Sequence, residues 1–296
     1  MAPKLSHKFR AQAAFAFPDA LAVCACLLLL LLLQLPARGN AKAKSRLSVC
    51  FANFQQLTLG WQMYSEDFNG RLVPNPDLGS AGKISSRPSW AGGWLDFSIN
   101  ADNTNTELLV SYGSKAGPYG GLMGPYVKKN PAIFRCPEDQ STMVVFGKTL
   151  PRCRSVSMNS YMAGYWAGGS NSFVSSAFHL FKKSSDIFSP RPSLALVFID
   201  VREDTINDPT YKFDLPKDLD SSNNLTPANF TMVDYPADWH EQGAVLSFAD
   251  GHVEHWKWRD RRTLPAHTPN TLIPLNVASP GNPDVGRMAR SISAPN

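Results

Sequence analysis

The sequence predicts an α+β protein in which one long N-terminal helix packs on a small antiparallel sheet. Three observations predict it. An apolar run from Ala20 to Leu35 is followed by aromatics at helical spacing, and short strand-like segments broken by Gly, Pro, Asn and Ser fill Arg71 to about Arg262. Near the C-terminal end, Ala244 to Ala249 and His252 to Trp258 are two strand-like runs joined by Asp250-Gly251. With 296 residues and 43% hydrophobic content, the chain suits one domain plus extensions. Its net charge is +5, and no basic stripe with interleaved aromatics stands out, so nucleic acid is not an expected partner.

The apolar run is broken only by Gln34 and falls short of the ~20 residues a helix needs to span a bilayer. Extending it back to Phe15 reaches that length but takes in Pro18 and Asp19. A carboxylate in an apolar helix is costly unless a partner offsets it, which makes Asp19 a functional candidate. Lys4, Lys8 and Arg10 ahead of the run, with "AKA" at Ala41 to Ala43 after it, also fit an ordinary secretory signal. Arg38, Lys42, Lys44 and Arg46 form a basic collar suited to lipid headgroups. Leu47, Phe51, Phe54, Leu57, Trp61, Tyr64 and Phe68 then mark one side of an amphipathic helix. Asn69-Gly70 is its expected C-cap, and that explains the acids of "SEDFNG" better than a calcium loop. A helix from Phe15 to Phe68 would measure about 80 Å.

Within the head, Ser193 to Asp200 reads as a strand lying near the C-terminal hairpin. A two-residue turn at Asp250-Gly251 pairs Ala249 with His252, Phe248 with Val253, Leu246 with His255 and Val245 with Trp256. That register puts Leu246, Phe248, Val253 and His255 on one inward face. Asp250 and Gly251 are then expected for their tolerance of positive φ. His252 and His255 point to opposite faces, while His240 sits at the open end and Asp250 at the tip, so no shared metal is expected. The five cysteines show no CxxC spacing, which argues against zinc. Asp200, Glu203, Asp204, Asp208, Asp214, Asp218 and Asp220 crowd one stretch and leave calcium open beside a solvated loop. Trp90, Trp94, Tyr119, Tyr126, Tyr161, Tyr165 and Trp166 read as core rather than as a glycan surface. No GxSxG, HExxH, Walker or dinucleotide motif occurs, and no catalytic residue is expected. Residues 263–296, rich in proline, read as disordered.

Taking Phe15 as a first residue makes Asp19 the fifth and Pro36 the twenty-second. That pattern resembles the prepilin-type N-terminus of type IV pilins and type II secretion pseudopilins. "AKAKSRLSVC" and "NFQQLTLGWQMYSEDFNGRL" resemble the stretch after the membrane helix in prepilin-like proteins of planctomycete and verrucomicrobial type. Those proteins carry a C-terminal histidine, nine residues and then Asp-Gly, a spacing matched by His240, Asp250 and Gly251. "FRCPED" and "RSVSMNSYMAG" extend the resemblance from residue 15 to about residue 258. Ala14 stands where the family has glycine, Asp19 where it has glutamate, and Pro18 where it has an apolar residue.

The resemblance implies a pilin-like fold with a leader (1–14), an assembly helix (15–70), a head (71–262) and a tail (263–296). It implies leader removal between Ala14 and Phe15, with N-methylation, by a prepilin peptidase. Asp19 would pair with the Phe15 amine of another pilin-like subunit. The chain would be a non-enzymatic, single-pass inner-membrane subunit of a type II secretion or pilus-like assembly, anchored in lipid with its head in the periplasm or cell envelope. Folding there favours a Cys136–Cys153 disulfide, two buried free thiols being the alternative. One rival reading is a secreted hydrolase or carbohydrate-binding protein cleaved near Ala43, and another is an uncleaved anchor with a binding head.

Overall fold

The computed structural model describes residues 17–76, 88–115, 119–162, 174–215 and 225–296, with backbone alone for Asp19 and residues 28–42. Ala14, Phe15, Tyr165, Trp166, Asp218 and Asp220 lie outside the described residues, as does the side chain of Asp19. Contacts divide the chain into two compact units, residues 1–45 and 46–296. Helix α1 (Phe17–Asp67) contributes to both. Pro18 sits in its first turn, where a missing N–H does no harm. In the first unit Phe17, Leu21, Val23 and Leu27 are exposed. Among the described residues no helix is long and apolar enough to cross a membrane.

The second unit is mixed α and β, as the sequence predicts. Here α1 buries Cys50, Phe54, Leu57, Trp61 and Tyr64, while Phe68 at its end is exposed. The helix stops where expected: Asn69 and Gly70 both take positive φ, and the Gly70 N–H donates to the Ser65 carbonyl. The face packs on a sheet built from β3 (Val156–Asn159), β4 (Leu196–Asp200), β5 (Thr210–Tyr211), β7 (Gly243–Phe248) and β8 (Val253–Lys257). The order is β5-β3-β4-β7-β8, all neighbours antiparallel except β3 with β5. The expected strand before Asp200 is thus β4, and the hairpin does lie beside it. β4 and β7 are buried along their whole length, because the central strands are covered on both faces. Smaller pairs complete the strands among the described residues: β1 (Thr142–Val145) with β2 (Lys148–Pro151), and β6 (Thr231–Met232) with β9 (Val277–Ala278). A one-turn helix, α2 (Glu107–Val110), lies between α1 and the strands in sequence. Trp90 and Tyr161 are core residues as read; Tyr119 is exposed. Buried Arg202 forks onto Asp204 at 2.9 and 2.6 Å and donates to the Pro265 carbonyl, tying the chain after β4 to the C-terminal region.

The structure corrects three further expectations about the tail, the hairpin register and the thiols, besides that for Tyr119. Residues 263–296 are not disordered, for α3 (Pro283–Ile292) buries Val285, Met288, Ala289 and Ile292 in the core. Asn282 caps that helix by accepting from the Asp284 and Val285 N–H groups, and Asn159 Nδ2 donates to the Ile292 carbonyl. The hairpin register is one residue from the expected one: Val245 pairs with His255, Leu246 with Glu254 and Ser247 with Val253. The connection is longer than two residues, since the Phe248 N–H still reaches the His252 carbonyl and Gly251 alone takes positive φ, at 97°. A slip of one exchanges the faces, so Leu246 and Phe248 share a side with Trp256 and not with Val253 and His255. Finally, Cys136 and Cys153 are both buried free thiols with different partners, which is the alternative to the disulfide.

Candidate functional site

His240 and Asp250-Gly251 occupy opposite ends of the hairpin, as expected from strand length. Their spacing has a structural meaning. At the tip, Gln62 of α1 donates to the Ala249 carbonyl at 3.0 Å, docking the turn on the helix. Asp250 does not need positive φ; its carboxylate accepts from the His252 backbone N–H and pairs with the His252 ring. That ring stacks on Phe248, with centroids 4.5 Å apart. At the base, His255 Nε2 donates to the His240 carbonyl at 2.7 Å, and Gly243 leaves the room for it, since a Cβ there would collide with His255 Nε2 and the Trp256 carbonyl. His252 and His255 do lie on opposite faces.

The His240 ring points into the core and meets residues from three distant segments. Its Nε2 lies 3.0 Å from Cys136 Sγ, and Cys50 Sγ of α1 donates to Asp200 Oδ2 at the end of β4, 3.1 Å away. One ligand atom from each of Cys50, Cys136, Asp200 and His240 falls within 4.8 Å of the others, and all four residues are buried. Around them Ser155 Oγ accepts the Cys136 N–H at 2.8 Å and donates to Asp200 Oδ1 at 3.2 Å. The Glu138 N–H donates to Cys136 Sγ at 3.4 Å. A cleft lined by Asn53, Ile133, Arg135, Cys136, Asp139 and Arg152 opens beside the group.

Burial governs the electrostatics. It pushes Asp200 up to about 7 against the hydrogen bonds from Cys50 and Ser155, and it drives His240 down to about 4 against the attraction of Glu138. It also raises the Cys136 thiol, and raises Cys50 well above its ordinary value with help from Cys136 and Asp200. Each shift favours the neutral form. Burial thus favours protonated thiols and a neutral imidazole, and it shifts Asp200 toward its protonated form.

In the sequence His240 stands out by its spacing, Cys136 as a disulfide candidate and Asp200 as part of an acidic stretch. Cys50 has no such mark, and its one signal is that it precedes Phe54 and Leu57 by four and seven residues on the buried helix face. The acids from Asp200 onward do not converge as oxygen ligands for calcium among the described residues. Asp204 pairs with Arg202, Asp208 Oδ1 caps Thr210 N–H, and Asp214 is exposed. Compared with protein-family models, curated proteins and solved structures, the chain matches none.

Proposed function

We propose that this chain is a membrane-anchored, pilin-like subunit of an envelope assembly, acting by assembly and not by catalysis. The observation that carries the reading is α1, one helix that offers two different apolar surfaces. Near its start Phe17, Leu21, Val23 and Leu27 are exposed, where a soluble helix of a small head would carry polar side chains. Farther on, Phe54, Leu57, Trp61 and Tyr64 are core residues of an α+β head. The exposed set shares its stretch with Asp19, a carboxylate suited to the amine created by cleavage before Phe15. A prepilin peptidase would make that cut, and lipid and other pilin-like subunits would cover the exposed face.

Edman or mass-spectrometric determination of the mature N-terminus, on protein recovered from its native envelope, tests the reading. A start at Phe15 is expected. A start at Lys44 would make the chain a secreted protein with an ordinary signal, and an intact leader would make it an uncleaved anchor.

A further inference from the structure

We propose that Cys50 Sγ, Cys136 Sγ, Asp200 Oδ2 and His240 Nε2 are the four ligands of a structural zinc(II) site inside the head. The donor set carries the identity of the ion. Two sulfurs, an imidazole nitrogen and one carboxylate oxygen suit a borderline-soft, tetrahedral cation, whereas calcium and magnesium take shells of oxygen. With bonds of about 2.3 Å to sulfur and about 2.0–2.1 Å to nitrogen and oxygen, a tetrahedral ion holds its ligands roughly 3.3–3.8 Å apart. One ligand atom from each residue already lies within 4.8 Å of the others, with Cys136 Sγ 3.0 Å from His240 Nε2 and Cys50 Sγ 3.1 Å from Asp200 Oδ2. Shifts of a fraction of an ångström would therefore centre the ion. Two thiolates, one carboxylate and Zn²⁺ sum to one negative charge, the same as a Cys₃His site.

The surroundings fit the same ion. Ser155 holds Asp200 Oδ1 and leaves Oδ2 turned to the group, and the Glu138 N–H supports the Cys136 sulfur. Partners of this kind orient ligands and spread the charge of metal thiolates. All four positions are filled by buried protein atoms, so no place remains for water or substrate, and the site is structural. On binding, the two thiol protons, and the carboxyl proton where present, pass to solvent. The ligands come from α1, the segment after residue 134, the end of β4 and the base of the hairpin, so one ion would pin the helix, the sheet and the hairpin together. The proposal does not depend on the anchoring of the chain.

The test uses the full-length chain purified with reductant and without chelator. Elemental analysis should find one zinc per chain. After exchange, cobalt(II) should show the visible bands of tetrahedral coordination together with thiolate-to-cobalt charge transfer, and chelation should lower the melting temperature. Cys136→Ser and His240→Ala should weaken cobalt binding by about a hundredfold or more, Ser155→Ala by about 10–100-fold, and Cys153→Ser not at all. If the ligand variants do not fold, the wild-type spectrum and its response to chelator decide the matter. A wild-type chain that takes up neither zinc nor cobalt, a cobalt spectrum without thiolate charge transfer, or a metal-free chain carrying a Cys50–Cys136 disulfide would overturn the proposal.

Discussion

Single residues in the hairpin separate into those held by backbone geometry and those held by side-chain chemistry. Asp250→Asn keeps an oxygen that accepts from the His252 N–H, so stability should change by no more than about 0.5 kcal/mol. Gly251→Val places a β-branched side chain at a φ of 97° and should cost about 1 kcal/mol or more. Gly243→Ala forces a Cβ against His255 and the Trp256 carbonyl and should cost about 1–3 kcal/mol. Denaturant midpoints for the three variants check this order. Asp234 provides a pH test away from the four-residue group. Burial, reinforced by the nearby Asp208 charge, raises its carboxyl well above the usual range. The folded state therefore keeps a proton that the unfolded chain releases above about pH 4, and stability contributed by that proton is full below about pH 4 and lost as pH rises toward the folded value. Asp234→Asn should flatten this fall, whose steepest slope is about 1.4 kcal/mol per pH unit; unfolding curves between pH 4 and 8 that stay parallel for the two proteins would refute the assignment.

Two elements diverge from their sequence reading for identifiable reasons. The prolines of the tail suggest disorder, yet Asn282-Pro283-Asp284 is a helix start, with a side-chain cap, a proline that needs no N–H and an acid at the positive end of the helix dipole. Val285, Met288, Ala289 and Ile292 then recur at helical spacing and fill the core. Met288→Ala should cost about 2–5 kcal/mol, since its side chain is fully buried and its sulfur accepts from the Tyr211 hydroxyl. A thermal melt unchanged by that substitution would return the tail to the status of an appendage. The hairpin diverges by register. Asp-Gly signals a turn in either register, and only hydrogen bonding around it distinguishes a two-residue loop from a longer one ending in a left-handed glycine.

At the scale of the whole molecule, the second compact unit begins at Arg46, so the second half of α1 folds with the head while residues 1–45 form a unit of their own. Changes near the start of α1 should therefore leave the head's stability alone. Asp19→Ala should insert in membrane at least as well as the parent, because a carboxylate in an apolar segment costs about 2.5 kcal/mol or more on insertion scales. The melting of the head should not move, and crosslinking into oligomers should fall. If the Asp19→Ala chain and the parent crosslink to the same extent, the proposed pairing of Asp19 with a neighbouring amine is wrong and an uncleaved anchor is the better reading.

Local chemistry made the long helix, its buried stripe, its Asn69-Gly70 stop, the strand before Asp200 and the hairpin legible, because periodicity and turn residues act over a few positions. It also put His240 and Asp250 at opposite ends of one strand, and it carried the whole resemblance to prepilin-type chains. The four-residue group was beyond its reach. Cys50, Cys136, Asp200 and His240 share no spacing, and each has an ordinary local explanation as a helix-face thiol, a loop thiol, a strand-end acid and a hairpin histidine. Only the packing of α1 on the sheet and the return of the chain through β4 and β7 bring them within 4.8 Å, because contacts between residues up to 190 positions apart are set by tertiary structure and leave no periodic trace in the chain.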